Sequence, residues 1–445
     1  MIITNSLVSL QMAEKHGANE ESFPWQSRLR YYWSDDDVKL RLMHSELTYG
    51  YEYLTAYNKL VMTPLTERCY RILLMAMDLH QGGLISGQTA TGKTETVKDL
   101  AKAVAKQCVG FNCTENVHYN AFAKFLKGLA SCGAWSCFDE FHRIDKQVLS
   151  VIAHQILSIQ RAIHAGMTQM LFEDSDIRIC SDCAVIVTTE TLQDHEVADN
   201  IPDNLKVLFR PVAMFNPDLA LIAELMLKSF GFDETRELSQ KLASMVDLCD
   251  GLLSSQAHYE FGLRSIISIL RCAGELKKSQ QSEDEHYLMS QALQTVKYCE
   301  LLPQDQVMFK KILDKVFHQA PPDPLPDEDF KKVIEEQCLK NDLEPTPHFL
   351  SKVQQLMDMM DLSDGVMLLG ESYGGKTKAL KILAASLASL ANGKAPAQVI
   401  LNPKAMKIDQ LYGWFDADEW KDGILATNFR NFNSLPETVS INCSS

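Results

Sequence analysis

At 445 residues the chain is long enough for two or three domains, each with its own core. A hydrophobic fraction of 46% and a charged fraction of 23% are those of an ordinary globular protein, and no apolar run reaches the roughly 18 residues of a membrane span. The formal net charge of −15 argues against non-specific binding to nucleic acid.

Met1–Gln11 has neither a basic stretch nor a small-residue cleavage site, so no secretory leader is expected. The 12 cysteines are scattered, which suits a reducing cytosol better than a disulfide framework. Residues 1–57 read as a lead-in. Its segment Phe23–Trp33 is dense in aromatics that need a surface to pack on, and Ser34-Asp-Asp-Asp37 breaks it with a turn or cap. Over 58–217, short apolar runs alternate with helical periods, the pattern of an α/β domain with a mostly parallel sheet. The expected strands are Gly83–Ser86, Cys108–Asn112, Trp135–Phe138, Ala184–Thr188 and Val212–Phe215, with a hairpin insertion over Gln169–Cys180. Residues 218–319 read as almost pure amphipathic helix. The proline-dense stretch 320–329 forbids helix and reads as an extended linker. Helices resume over 330–360, and Val366–Leu369 reads as a strand leading into a glycine-rich turn.

The chemistry is concentrated at Gly87-Gln-Thr-Ala-Thr-Gly92-Lys93-Thr94, which satisfies the P-loop pattern G-x-x-x-x-G-K-[ST]. A strand precedes it, and a helix follows with Val97, Leu100, Ala101 and Val104 at helical spacing. Backbone N–H groups and the positive helix end make such a turn an anion site; Lys93 is placed for the β- and γ-phosphates of ATP and Thr94 for Mg²⁺. The apolar run ending in Asp139-Glu140 supplies the remaining groups. Asp139 is expected to support Mg²⁺ and Glu140 to polarise the attacking water. The plainer alternatives are a surface lysine and a solvated acidic strand end. A second loop, Gly370-Glu-Ser-Tyr-Gly-Gly375-Lys376-Thr377, suggests a tandem NTPase and a weak internal repeat. Cys180-Ser-Asp-Cys183 has redox or zinc spacing without a second ligand pair, and reads as two cysteines at a strand boundary. Cys108, Cys113, Cys132 and Cys137 read as small core residues, and the histidines form no spaced cluster.

The motifs also occur in a family order. Leu60–Tyr70, Thr94–Cys108, Cys132–Ile144, Ile201–Met214, the second loop, Asn402-Pro-Lys404, Leu411–Asp416 and Trp420–Leu425 together resemble dynein heavy chains, most closely an axonemal-type and divergent one. The resemblance runs colinearly from about Phe23 to Phe432. It implies an AAA+ fold: 1–57 as the end of a mechanical linker, 58–217 as the α/β core of a first module, and 218–319 as its helical lid. After the linker 320–329, it implies part of a second module over 330–432 and an unmatched tail over 433–445. It further implies ATP-binding work in the cytoskeleton of the ciliary axoneme, with other dynein chains as partners and microtubules as partners of a full-length protein alone. Neither nucleic acid nor membrane is implied. Nucleotide contacts are implied at Gly87, Gly92, Lys93, Thr94, Gly370, Gly375, Lys376 and Thr377. Arg264, in Tyr259-Glu-Phe-Gly-Leu-Arg264, matches the lid arginine that senses the γ-phosphate; the alternative is a surface arginine on a helix. Arg210 matches a finger position aimed at a neighbouring module, with an ordinary salt bridge as the alternative.

The sequence departs from the family pattern at several points. Glu190 stands where the family's sensor asparagine is expected, Ala90 replaces a glycine inside the P-loop, and His142 replaces an asparagine. A carboxylate repels phosphate by roughly 4 kcal/mol per charge pair at about 4 Å and an effective dielectric of about 20. The first site is therefore expected to bind ATP·Mg²⁺ and hydrolyse it slowly, or to act as a nucleotide-dependent structural or regulatory module without turnover. The resemblance stops before any acidic strand end of the second module, so this chain is not expected to be a motor by itself.

Overall fold

The structure, a computed structural model, describes residues 22–53, 60–113, 119–173, 175–190, 202–256, 258–279, 284–317, 328–362, 365–390, 398–416, 419–433 and 440–443. The expectations for Met1–Gln11 and for most of the linker 320–329 lie outside them. Contacts divide the described chain into two compact units, one running to Met289 and resuming at Leu302–Phe317, the other formed by Ser290–Leu301 and the residues from Glu328 onward.

The first unit opens with an antiparallel sheet of β1 (Arg30–Ser34), β2 (Asp37–Leu42) and β3 (Ser45–Thr48). The turn expected at Ser34–Asp37 is a two-residue hairpin loop. Asp35 and Asp36 adopt φ of 57° and 60°, the left-handed pair of a type I′ turn that aspartate tolerates. The strands themselves go beyond the sequence reading, because Tyr31-Tyr-Trp33 is aromatic on both faces and masks the alternation. The sheet buries Leu40 and Leu42 in one core with Leu73 and Leu74 of α1 (Pro64–Asp78) and Leu100 and Val104 of α2 (Lys93–Val104). The following segment caps α2. Gly50 and Glu52 donate backbone N–H groups to Val104 and Ala105 at 3.0 and 3.1 Å, and the Tyr31 hydroxyl donates to the Ala103 carbonyl at 2.9 Å. These are carbonyls that no helical N–H reaches. A Cβ on Gly50 would lie 2.2 Å from the Ala105 oxygen, so glycine is required for that approach.

The main sheet contains β4 (Gly82–Gly87), β5 (Cys108–Asn112), β6 (Trp135–Asp139), β9 (Ala184–Glu190) and β10 (Phe209–Met214), all parallel, in the spatial order β10-β4-β9-β6-β5. Adjacent residues point to opposite faces. Cys137 and Ile186 join the core under α1 and α2, while Phe138 and Val187 join the other core with Phe122 of α3 (Tyr119–Cys132) and Leu149 and Ile152 of α4 (Lys146–His164). The α/β fold with a parallel sheet is therefore as expected. The insertion is the antiparallel hairpin of β7 (Gln169–Phe172) and β8 (Ser175–Arg178). The last strand begins three residues earlier than the sequence reading: Phe209 is buried, and Pro211 sits on an edge strand where its missing donor is tolerated. Cys113 and Cys137 are buried as expected, but Cys132, the last residue of α3, is exposed.

Every regular element described between residues 218 and 317 is a helix, as expected: α5 (Leu219–Phe230), α6 (Thr235–Leu252), α7 (Leu263–Ser279), α8 (Glu285–Lys297) and α9 (Pro303–Phe317). No helix of the described residues is long and apolar enough to cross a membrane.

The second unit packs α10 (Glu328–Lys340), α11 (Pro347–Leu362) and α12 (Lys376–Leu390) around Ile334, Val353, Ile382 and Leu383. Val366–Leu369 is not a strand, contrary to the sequence reading. Met367 and Leu369 are about four-fifths exposed, and no described strand pairs with the segment. An apolar run becomes a parallel strand only beside neighbours that satisfy its backbone. In the same unit, β11 (Gln398–Leu401) pairs in parallel with β14 (Ser440–Cys443), and β12 (Gly413–Asp416) with β13 (Glu419–Asp422) in a hairpin.

Leu40 is 1% exposed, so Leu40→Ala is expected to cost about 2–5 kcal/mol in urea unfolding. A cost under about 0.5 kcal/mol would show that the N-terminal sheet does not share the core.

Candidate functional site

The P-loop joins β4 to α2 at the carboxyl ends of the sheet, where the connection after β4 runs to β5 at one edge and that after β9 to β10 at the other, the usual crevice for a ligand in an open α/β sheet. Gly87 is constrained by proximity: a Cβ there would lie 2.4 Å from the Met214 carbonyl of β10. Gly92, immediately before α2, has φ 86°, which glycine adopts freely. Ala90 has φ 58°, so the position where the resemblance implies glycine is one where an alanine Cβ is strained.

The Lys93 ammonium is buried and donates to the carbonyls of Gly87 and Gln88, both at 2.8 Å. Burial pushes its pKa down, opposed by the carboxylates of Glu190, Asp139 and Glu140. The Thr94 hydroxyl donates to Asp139 Oδ1 at 2.9 Å, so the two oxygens assigned to Mg²⁺ are already adjacent. Thr188 on β9 completes this cluster. Its fully buried hydroxyl donates to the same Asp139 oxygen and accepts the Glu140 N–H at 3.3 Å. Glu140 is left-handed, with φ 54° and ψ 41°, and its carboxylate meets Arg143 Nε at 3.0 Å. Lys93, Thr94, Asp139 and Glu140 are thus brought together.

The sequence alone did not connect Thr188 to Asp139. The signal was present: Phe138 pairs with Val187, so Thr188 lies beside Asp139 once β6 and β9 are known to be neighbours. Glu190 is opposite Gly87 in the β4–β9 register. Its charge acts on both Lys93 and His142, which places the two divergent side chains at the same end of the sheet. Burial lowers the His142 pKa; Glu190 and Glu140 oppose this, while Arg143 and Lys93 reinforce it. His142 Nδ1 is buried without a hydrogen-bond partner among the described residues.

Arg264 is the second residue of α7, whose start lies against the P-loop. A Cβ on Gly262 would sit 3.0 Å from that of Ala90, and one on Gly92 would sit 3.9 Å from Leu263. The Arg264 side chain is 76% exposed, with its guanidinium 3.9 Å from Glu260. Arg210 is exposed near the start of edge strand β10, opposite Gly83 and therefore at the far end of the sheet from the P-loop.

In the second unit, Lys376 donates to the carbonyls of Gly370 and Glu371, matching Lys93 bond for bond. Gly375 has φ 83° and Tyr373 65°, matching Gly92 and Ala90, and Thr377 follows Lys376 in the first turn of α12. Elsewhere, the ligating atoms of Glu234, Glu237 and His286 lie close together, but Lys241 is 2.7 Å from Glu237 and 3.5 Å from His286 and balances their charge. Cys180 and Cys183 are free thiols, and burial pushes the Cys183 thiol up to about 12, against a thiolate ligand.

The family model described as the hydrolytic ATP binding site of dynein motor region matches residues 49–377. Dynein axonemal heavy chain 3 of Homo sapiens is 46% identical over 431 residues, covering 95% of this chain and 10% of that protein. Dynein axonemal heavy chain 12 of Homo sapiens is 42% identical over 441 residues, covering 97% and 14%, and dynein axonemal heavy chain 1 of Mus musculus is 40% identical over 431 residues, covering 94% and 10%. The chain thus spans 10–14% of the length of these relatives.

Two outcomes follow from the site. Ala90→Gly should be stabilising by up to about 1 kcal/mol in thermal unfolding, because it removes a left-handed alanine; a loss of stability would contradict the strain. His142 has its folded pKa below the ordinary 6.5, so the unfolded chain binds the extra proton and stability falls as pH drops through 6.5 toward the folded value. His142→Asn should flatten the melting-temperature profile in that window, and an unchanged slope from pH 7 to 5.5 would count against it.

Proposed function

The chain belongs to the dynein motor-region family, and from that premise we propose that its first P-loop binds ATP·Mg²⁺ and hydrolyses it slowly. The observation behind this reading is the convergence of Lys93, Thr94, Asp139 and Glu140 at the carboxyl ends of β4 and β6. The donor set fits the ligand. The loop N–H groups and the α2 N-terminus take phosphate oxygens, and Lys93 exchanges its two loop carbonyls for the β- and γ-phosphates. The adjacent oxygens of Thr94 and Asp139 would hold Mg²⁺, which would supply charge neutralisation to the phosphates. Glu140 orients water for in-line attack on the γ-phosphorus, with Arg143 fixing its carboxylate.

Glu190 sets the rate. It replaces a neutral donor with an acceptor that repels the same phosphates Lys93 attracts. This favours a second reading, a module that uses bound nucleotide to hold its shape without useful turnover. Arg210 lies too far from its own P-loop to serve it, and in a longer heavy chain it faces a neighbouring module. There the chain would work with other dynein chains, in the axonemal cytoskeleton and with microtubules as partner of the whole motor. The loop at Gly370–Thr377 is proposed as a second nucleotide-binding position.

Lys93→Ala should weaken ATP binding at least about tenfold. Glu140→Gln should retain binding and abolish turnover, while Glu190→Asn should raise turnover on the order of tenfold or more. Tight binding with no turnover in the parent chain and in Glu190→Asn alike would support the second reading. No ATP binding in the parent chain would overturn both.

A further inference from the structure

Arg264, at the start of α7, follows a loop whose place is set by a carboxylate on a different helix. Asp305, in the first turn of α9, accepts the hydroxyl and, at 3.4 Å, the backbone N–H of Ser254, and accepts the Tyr259 hydroxyl at 2.8 Å. The Tyr259 oxygen in turn accepts the N–H of Leu302 at 2.9 Å, one of the donors at a helix start that lack an intrahelical partner. These bonds hold the Asp305 carboxyl below its ordinary range. Three residues after Tyr259 the chain reaches the P-loop, where Gly262 and Leu263 lie against Ala90 and Gly92. Gly262 has no room for a side chain without moving Ala90, so the loop touches at backbone level. Arg264 comes next, and among the described residues its pair is Glu260 at 3.9 Å, too long and exposed to fix the guanidinium.

We propose that Tyr259 is a positioning residue for Arg264: its hydroxyl, held between Asp305 and the Leu302 N–H, keeps Gly262–Arg264 against the P-loop so that the guanidinium distinguishes a nucleoside triphosphate from a diphosphate. The proposal rests on the reading of the first P-loop as an ATP site. A long, flexible arginine contributes selectivity only when the backbone beneath it is fixed, and the latch is the element that fixes it.

The test uses the full chain, with Mg²⁺ and either ADP or a non-hydrolysable ATP analogue, by calorimetry. Tyr259→Phe keeps the ring and loses the hydroxyl. It should weaken the ATP analogue about fivefold or more while leaving ADP within about twofold, and Asp305→Asn should do the same from the other side of the latch. Arg264→Ala should show the same selective loss, and adding Tyr259→Phe to it should cost nothing further. Equal losses for both nucleotides, no loss in either latch variant, or full additivity with Arg264→Ala would each overturn the latch while leaving ATP binding in place. A parent chain that binds neither nucleotide would instead overturn the ATP reading, and the latch proposal with it.

Discussion

One oxygen of Asp139 accepts hydrogen bonds from Thr94 on α2 and from Thr188 on β9, while Asp139 itself ends β6. Three elements far apart in sequence therefore converge on a single atom, and the rest of the site is arranged from there. Thr188 also takes the Glu140 N–H, which holds the next residue in a left-handed turn that β-carbon sterics disfavour. That turn swings the Glu140 carboxylate out of the strand direction and toward Arg143. A one-residue slip between β6 and β9 would put Thr189 in place of Thr188, on the opposite face, and the cluster would be lost. The site is thus as stable as the sheet register, which the cores on both faces hold with Cys137 and Ile186 on one side and Phe138 and Val187 on the other.

The electrostatics pull against this order. Lys93 is buried beside three carboxylates, and its ammonium is satisfied by two loop carbonyls. An incoming polyphosphate competes with those carbonyls and is repelled by Glu190. What Glu190 cannot neutralise is the set of backbone N–H groups in the loop and at the α2 N-terminus, whose direction is fixed by covalent geometry. Under the proposed reading, Glu190 opposes Lys93 at the phosphates while leaving the backbone donors of the loop intact.

The legible parts of the sequence were those in which local pattern and tertiary context agree. The P-loop, the acidic strand end and the β5 limits were readable because glycines, apolar runs and helical spacing coincide there. The N-terminal sheet was not, since Tyr31–Trp33 shows no alternation and its aspartate turn looks equally like a helix cap. Phe209–Pro211 was unreadable as strand because an arginine and a proline interrupt it, and only its edge position makes them acceptable. Thr188 and the Tyr259–Asp305 latch depend on partners 49 and 46 residues away in sequence, a relation that no local period carries.

The two P-loops divide what is local from what is not. Both have a non-glycine residue left-handed at the fourth position, a left-handed glycine at the sixth, and a lysine turned back onto two carbonyls at the loop start. The first follows a strand paired on both sides, and the second follows Val366–Leu369, which pairs with no described strand. The loop conformation therefore needs little more than its own eight residues and the helix it starts. A strand needs neighbours, because its backbone groups can be satisfied only by another chain segment. A glycine-rich motif is accordingly evidence for the shape of an anion cradle, whereas evidence for a working site lies in residues such as Asp139 and Thr188, which exist as a pair only when the sheet has formed.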